Sequence, residues 1–277
     1  MRSARQTVMG KATKYAAKVP DRNGRIPYTK EEDAVWHDLI IRQRPIAEKY
    51  ACPQYLEALE RMNFPTDRIP QPEEVSAVLR KHTGWEVAAV PALIPFDEFF
   101  ALLADRRFPA ASFIRSREEM DYLQEPDIFH EIFGHTPLLT DPRFAAFSHA
   151  YGKAGVKADK KDHLWLARLY WFTVEFGLIR GTQGLRTYGA GIVSSFGETP
   201  YSIDSPLPQR KPFDPIEALR TPYRIDIYQS VYFVLDGLED LFKLAQMDLI
   251  GLINEARRLG LYTPTYPPTE KKISWAA

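Results

Sequence analysis

The sequence predicts a mainly α fold of the α+β class, formed by a single domain. Three observations support this prediction. Helical segments with recognisable caps dominate the chain, segments of strand character are short and scattered, and strands and helices do not alternate as they do around a parallel sheet. The 277 residues show no internal repeat and no linker that would divide them. We expect a disordered or extended leader at residues 1–28, the domain at 29–265 and a tail at 266–277.

Helices are predicted along the first half of the chain from their caps. Thr29 and Glu32 have the spacing of a capping box, which predicts a helix that begins there and continues through Ile46. Two more helices are predicted at Pro53–Met62 and 72–82, the second ending before Gly84. A further helix is expected at Phe96–Ala104, with short strands at 85–87 and 112–115.

The second half combines long apolar segments with a glycine-rich run. Residues 127–134 permit a helix that the Thr136-Pro137 pair would end, because a residue before proline avoids the helical region. The run 181–197 is predicted to be a loop or hairpin, and 263–268 to be extended. Long helices are expected at 142–151, 163–179 and 232–259.

Composition and charge exclude several classes of protein. Lys and Arg together number 36, as do Asp and Glu, so the net charge is zero and the basic surplus of a nucleic-acid binder is missing. The single cysteine, Cys52, cannot form an internal disulfide or a site with several thiolates. The most apolar stretch, 164–179, is interrupted by Arg168 and Glu175 and is too short to span a bilayer. We therefore expect a cytoplasmic protein without nucleic-acid or membrane partners.

Two histidines and a glutamate lie close together among apolar side chains, at His130, Glu131 and His135. Such groups are costly to bury unless they are paired or bind a metal. Zinc proteases place two histidines four residues apart on one helical face, whereas a spacing of five separates the side chains by about 140° on an ideal helix. They converge only if the helix loosens or ends between them, which Gly134 and Pro137 permit. A helix end whose histidines make ordinary hydrogen bonds is the alternative.

A solitary carboxylate lies in the apolar segment that follows. Glu175 stands among aromatic and aliphatic residues, and a helix that is apolar all round is usually buried. Its acid needs a strong partner, and Arg168 lies about two turns away, a long reach. The other partner would be a metal shared with the two histidines, because two imidazoles and one carboxylate are typical of non-haem ferrous iron oxygenases. Trp171, one turn before Glu175, would lie beside that metal.

With these residues in view, the sequence resembles the pterin-dependent aromatic amino acid hydroxylases. The matching segments are 113–115, 126–137, 170–178, 188–191 and 194–198, and they follow the family's order over most of residues 30–265. The resemblance implies a helical basket with short strands, one ferrous iron, a tetrahydropterin cofactor, dioxygen and an aromatic amino acid substrate. It favours L-phenylalanine, converted to L-tyrosine, because no polar residue in the matched ring-lining positions would favour a phenol.

The resemblance also implies roles for individual residues. The iron ligands would be His130, His135 and Glu175. Arg115 would hold the substrate carboxylate, a planar bidentate task that suits guanidinium. The amino-acid site would further include Pro126, Trp171, Gly191, Ser194 and Ser195. The pterin site would include Val90, Leu93, Ile94, the stacking ring of Phe99, Glu131 through water, and Tyr170.

Other interpretations remain open from the sequence. Phe99 alone is compatible with core packing, and Arg115 alone with a surface pair to Glu118 or Glu119. Tyrosine or tryptophan hydroxylation, a zinc hydrolase and a non-catalytic binding protein are the alternative functions. The 91–96 segment lacks the serine pair of animal members, residues 1–29 leave no room for a regulatory domain, and no heptad helix follows Leu259. The expected assembly is therefore a monomeric catalytic unit.

Overall fold

Helices make up most of the structure, as the sequence predicts. The computed structural model describes residues 7–8, 11–12, 18–121, 123, 125–182 and 184–266. Helices account for about 54% of the residues and strands for 12%, which confirms the mainly α class. Within the described residues, no helix combines the length and the apolar character needed to cross a membrane.

The structure contains eleven helices and eight strands within the described residues, apart from short 3₁₀ and wide turns. The first half contains β1 (Thr7–Val8), β2 (Lys11–Ala12), α1 (Lys30–Tyr50), α2 (Pro53–Met62), α3 (Pro72–Thr83), β3 (Glu86–Val90), α4 (Phe96–Ala104) and β4 (Arg107–Ala111). The second half contains α5 (Pro142–Lys157), α6 (His163–Tyr170), β5 (Gly177–Gly181), β6 (Gly184–Thr187), α7 (Ala190–Val193), α8 (Glu198–Asp204), β7 (Gln209–Pro212), α9 (Pro215–Arg220), β8 (Val231–Leu235), α10 (Glu239–Ala245) and α11 (Leu249–Leu259). Wide helical turns occupy His130–His135 and Trp171–Glu175, and short 3₁₀ turns occupy Arg117–Glu119, Leu138–Thr140 and Lys160–Asp162.

The helices predicted from caps in the first half are confirmed. Thr29 and Glu32 form the reciprocal hydrogen bonds of a capping box at the start of α1. The helix α4 has the predicted bounds, and α3 ends at Gly84, whose left-handed backbone (φ 73°) terminates the helix. Ahead of α1, Ile26 is buried and exchanges two hydrogen bonds with the side chain of Gln71.

The strand predicted at 112–115 is displaced along the chain. The strand β4 runs over Arg107–Ala111 and pairs in parallel with β3, and Ser112 adds one more bond to the carbonyl of Val90. The next residue on the partner side is Pro91, which has no N–H to continue the ladder. Residues 113–115 therefore leave this sheet.

The predicted end of the helix at 163–179 is also wrong. The segment is helical only to Glu175, and Gly177–Gly181 forms β5, which pairs in parallel with β8 and antiparallel with β6. The hairpin of β5 and β6 confirms the hairpin interpretation of the glycine-rich run as far as Thr187. That run also contains the short helix α7, which the sequence analysis missed.

The single helix predicted at 232–259 is replaced by a strand and two helices. The five residues of β8 are all buried, and its apolar run has no periodicity that separates a buried strand from a helix. The sheet order is β6-β5-β8-β7, so β8 lies inside the sheet between β5 and β7. Farther upstream, α5 extends to Lys157, six residues beyond the predicted end.

The hydrophobic core surrounds the two wide turns. One cluster of buried side chains joins the long helices, the turns and the strand β8, and includes Trp36, Tyr55, Phe133, Phe172 and Phe233. Because the apolar residues of the wide turns fill this core, their polar residues lie together on the opposite side. The fold thereby brings His130 and Glu175, 45 positions apart in sequence, into one cluster.

Candidate metal centre and substrate cleft

The two segments that carry the predicted ligands are both wide helical turns. In such a turn the backbone bonds from residue i to i+5, so side chains five residues apart lie on one face. His130 and His135 have this spacing in one turn, and Glu175 ends the other. The loosened helix that the sequence required is therefore present. Gly134 contributes by close approach, because a Cβ there would lie 2.9 Å from the carbonyl oxygen of Ala190 in α7.

The donor atoms of the three predicted ligands converge. The Nε2 atoms of His130 and His135 lie 3.1 Å apart. The carboxylate of Glu175 lies 3.1 Å from Nε2 of His135 and 3.6 Å from Nε2 of His130. Donor atoms about 2.1 Å from a shared metal ion and at right angles to one another lie about 3 Å apart. The residues present therefore fit a metal ion held on one face.

A second carboxylate borders the same cluster. Ligand atoms of His130, Glu131 and His135 all lie within 4.8 Å of one another, but Glu131 is 3.9 Å from Nε2 of His135, farther than Glu175. Burial and the neighbouring charges of Glu175 and Asp127 raise the pKa of Glu131 well above its usual value. Burial would also raise the pKa of Glu175, but the two histidines and the Gly191 N–H hold it below its usual value. Glu175, the carboxylate nearer to Nε2 of His135, is thus the ligand candidate, and Glu131 is a neighbouring carboxyl with a raised pKa.

The orientation of His130 is fixed by a serine on α7's carboxyl end. Nδ1 of His130 lies 2.9 Å from Oγ of Ser194, and that hydroxyl donates to the carbonyl of Ala190 at 2.7 Å. The serine oxygen therefore accepts a hydrogen bond from Nδ1–H, which leaves the lone pair of Nε2 directed at the cluster. Burial lowers the pKa of His130 to about 4, against an opposing effect of Glu175, so the imidazole is neutral at pH 7.

Arg115 has a different partner from the surface acids considered above. Its Nε and Nη2 bind the two oxygens of Asp127 at 2.8 and 2.9 Å, and both side chains are buried. Burial alone would raise the pKa of Asp127, but Arg115 holds it below its usual value. Asp127 also accepts the backbone N–H of His130 at 3.0 Å. The sequence analysis missed this role of Asp127, although an acid directly before a helical segment is a typical N-terminal cap.

Trp171 lies in the wide turn that ends at Glu175, and neighbouring rings enclose it. Its indole stacks on Tyr223 with a centroid distance of 4.2 Å and an angle of 14°, and the ring of Phe176 lies 4.4 Å away. The indole N–H donates to Oε1 of Gln229 at 3.0 Å. A Cβ at Gly191 would lie 2.7 Å from the ring of Phe176, so this glycine lets α7 approach the turn. Gln229 and Tyr223 were not predicted as site residues.

Two further predicted substrate residues, Pro126 and Ser195, are described by their burial and hydrogen bonds. Pro126 is half-buried and directly precedes Asp127. Ser195, also half-buried, has its Oγ 3.2 Å from the backbone N–H of Glu198. Of the two serines predicted for the amino-acid site, only Ser194 is placed against a metal-ligand candidate in the described part of the chain.

Of the residues predicted for the pterin, Tyr170 contacts a ligand candidate and Phe99 contacts Tyr170. Tyr170 stacks on the His135 ring at 6.2 Å and 24°, and the half-buried ring of Phe99 meets Tyr170 edge-on at 5.5 Å. The rest of the predicted set follows β3: Val90 ends that strand with its carbonyl bound to Ser112, Leu93 is exposed and Ile94 is half-buried. Phe99 and Tyr170 thus connect the ligand cluster to the 90–94 segment.

These features together define a non-haem metal oxygenase. Two histidines and a glutamate lie on wide turns of a helical fold with short strands, and aromatic side chains lie beside them. Residues 1–251 match the family described as biopterin-dependent aromatic amino acid hydroxylase, and the chain belongs to this family.

The chain is similar to several bacterial proteins that are named phenylalanine hydroxylases. It is 57% identical to the phenylalanine-4-hydroxylase of Pseudomonas aeruginosa, over 94% of this chain and 99% of the relative. The solved structure of the cold-active phenylalanine hydroxylase from Colwellia psychrerythraea 34H matches with a TM-score of 0.88 and 53% identity, over 90% of this chain and 97% of that one. The phenylalanine hydroxylase of Chromobacterium violaceum, solved with bound oxidized Fe(III), matches with a TM-score of 0.84 and 44% identity, over 88% of this chain and 89% of that one.

Proposed function

We propose that the protein is an iron- and tetrahydropterin-dependent monooxygenase that converts L-phenylalanine to L-tyrosine with dioxygen. One oxygen atom is transferred to the aromatic ring and the other to the pterin, which supplies two electrons. The convergence of His130, His135 and Glu175 carries this proposal, since their donor atoms lie 3.1–3.6 Å apart. The names of the bacterial relatives support phenylalanine as the substrate.

His130, His135 and Glu175 would hold ferrous iron, and the bound ion would supply the activation of dioxygen together with the reduced pterin. The chain's own contribution is to hold the donor atoms in place. Ser194 keeps the proton of His130 on Nδ1, and His135, His130 and the Gly191 N–H lower the pKa of Glu175. Glu131, beside His135, faces the pterin through water.

The amino-acid substrate binds between Arg115 and Trp171. Asp127 holds the guanidinium through Nε and Nη2, and the substrate carboxylate binds the guanidinium held in this way. The aromatic ring of the substrate lies against Trp171, near Pro126, Gly191 and Ser195. Because Asp127 binds both Arg115 and the start of the His130 turn, the carboxylate site and the metal site keep a fixed separation.

The pterin binds on the Phe99 and Tyr170 side, where the half-buried Phe99 ring offers a stacking face. Leu93 and Ile94, with the end of β3 at Val90, border this side. Cofactor and substrate then both lie next to the histidine cluster, as a reaction that joins both to one dioxygen molecule requires.

We further propose a monomeric, cytoplasmic enzyme. The last described helix, α11, is capped by Arg220, whose side chain donates to the carbonyl of Gly260 and to the hydroxyl of Tyr262. The end of this helix is therefore bound within its own chain, and within the described residues it does not continue as a helix with a heptad pattern. The single cysteine and the zero net charge support an intracellular setting without nucleic-acid partners.

The test is tyrosine formation from L-phenylalanine by purified protein with added ferrous iron, tetrahydropterin and air. We expect turnover that requires all three additions and that stops under nitrogen. Full occupancy by zinc together with a hydrolytic activity that survives anaerobiosis would overturn the proposal. Parallel reactions with L-tyrosine and L-tryptophan establish the substrate preference.

A further inference from the structure

Gln229 is a buried polar side chain that joins three parts of the structure. It is 3% exposed. Its Oε1 accepts the indole N–H of Trp171 at 3.0 Å, and its Nε2 donates to the carbonyls of Arg224 and Ile227 at 2.9 and 3.2 Å. One amide therefore closes the loop between α9 and β8 and holds the indole on the substrate side of the cleft.

The backbone of Gln229 is itself held in place. Its N–H donates to Oε1 of Glu198 at 2.9 Å, and the same carboxyl accepts the hydroxyl of Tyr232. Glu198 and Tyr232 belong to α8 and β8, two elements that contribute no predicted site residue. The amide oxygen of Gln229 is thus a fixed acceptor and not a mobile side chain that follows the indole.

The other contacts of Trp171 define its plane but not its rotation within that plane. Tyr223 and Phe176 lie against the faces of the indole, and ring stacking tolerates sliding and in-plane rotation. A hydrogen bond to a fixed acceptor is directional and removes that freedom. The position of the indole edge, and with it the width of the cleft, is therefore set by Gln229.

We propose that Gln229 is a positioning residue that determines substrate specificity, because its amide oxygen fixes the indole of Trp171 at the width that suits a six-membered aromatic ring. This inference rests on the proposed function, in which Trp171 forms a wall of the amino-acid site. When the acceptor is removed, the indole rotates against Tyr223, and the site discriminates less between phenylalanine and the larger tryptophan side chain.

The variant Gln229→Met tests the inference, because methionine has nearly the length of glutamine but lacks the oxygen acceptor. A neutral hydrogen bond changes an equilibrium by about 2- to 12-fold. We expect the ratio of kcat/KM for phenylalanine to that for tryptophan to fall by about this factor, with iron content unchanged. Gln229→Glu keeps a carbonyl acceptor and, when protonated, one donor, so it should restore the ratio. Gln229→Leu repeats the test if the methionine variant does not fold.

Two further measurements separate positioning from a loss of stability. In spectra of ¹⁵N-indole-labelled protein with diamagnetic Zn²⁺ as the metal, Trp171→Phe identifies the Trp171 signal, and Gln229→Met should shift it. The double variant Gln229→Met with Trp171→Phe should have the same preference as Trp171→Phe alone, because Gln229 acts through the indole. The matched control is Gln71→Met, which removes two buried hydrogen bonds to Ile26 and none to Trp171 or Gln229. It should lower stability without changing the preference.

An unchanged preference in Gln229→Met, effects that add in the double variant, or an unmoved Trp171 signal would each overturn the inference. Failure of the proposed function is distinguishable, because wild-type protein would then form no tyrosine. In that case calorimetric binding of phenylalanine and tryptophan to the anaerobic iron-loaded protein still tests the role of Gln229. Equal binding ratios for wild type and Gln229→Met would refute it.

Discussion

Ser194→Ala tests whether a hydrogen bond outside the ligand set controls the affinity for iron. The Ser194 hydroxyl accepts from Nδ1 of His130 at 2.9 Å, which requires the proton on Nδ1 and the lone pair on Nε2. In the metal-free variant, the imidazole can move its proton to Nε2 and avoid a buried, unpaired Nδ1–H. Metal binding forces the proton back to Nδ1, so the penalty falls on the bound state alone.

The magnitude follows from the burial of this contact. A buried donor left without an acceptor costs about 1–3 kcal/mol, which corresponds to a factor of about 5 to 150 in a binding constant. Loss of a hydrogen bond to a metal-binding histidine typically costs about 10- to 100-fold in metal affinity. The two ranges agree, and we expect ferrous iron to bind about 10- to 100-fold more weakly to Ser194→Ala.

The assay is anaerobic titration of the metal-free protein with Fe²⁺ in competition with a chromogenic chelator. Ser195→Ala is the matched control, because the neighbouring hydroxyl lies against the backbone N–H of Glu198 and not against a histidine. The control should bind iron like the wild type. Equal iron affinities for the two alanine variants would refute the argument that Ser194 sets the tautomer of His130.

Three other substitutions probe the charged groups. Glu175→Gln keeps the shape of the side chain but removes its charge, so iron content after dialysis and turnover should both fall sharply; normal iron content would exclude Glu175 as a ligand. Arg115→Lys should raise KM for phenylalanine by about 10- to 150-fold, which corresponds to about 1.5–3 kcal/mol for a hydrogen bond to a charged group. Its iron content should stay unchanged. An unaltered KM would contradict the role of Arg115 in binding the substrate carboxylate. Burial raises the pKa of Glu198 from 4.5 to about 7, so the folded state binds the proton more tightly and wild-type stability should fall as pH rises from about 4.5 to 7, by up to about 3 kcal/mol. Glu198→Gln should lose this dependence in urea unfolding at pH 5 and pH 8, and parallel pH profiles would show that Glu198 is not the group responsible.

The ligand cluster was predictable because its chemistry is costly in any other setting. A glutamate in an apolar helix and two histidines among aromatic residues require partners, and the sequence places both segments where a core should form. The spacing of five residues further required a loosened helix, and the structure has one. Tyr170 lies beside His135, and Phe99 lies beside Tyr170, within the same core.

The positions of the supporting side chains were not predictable, because they depend on tertiary contacts. Arg115 has nearby acids at Glu118 and Glu119, yet it binds Asp127, twelve residues away, because the chain turns back after β4 and buries the pair. Gln229 gives no signal in the sequence, since its role comes from the place where β8 enters the sheet. The same strand was mistaken for a helix, as a short apolar run fits either element.

The two wide turns connect the fold to the proposed chemistry. A wide turn is rare in proteins and is found frequently at functional sites, so a structure with two of them needs a compensating gain. Here the turns are supported from several sides: Asp127 caps the first, Gly134 lets it lie against α7, and Phe176 N–H closes the second by binding the carbonyl of Trp171 at 2.8 Å. Each support also determines a functional position, since Asp127 holds Arg115, α7 leads to Ser194, and the second turn carries Trp171 beside Glu175. The proposed metal, carboxylate and aromatic-ring sites are therefore set by the same backbone distortion, and a substitution that restores regular helix in either turn should remove all three together.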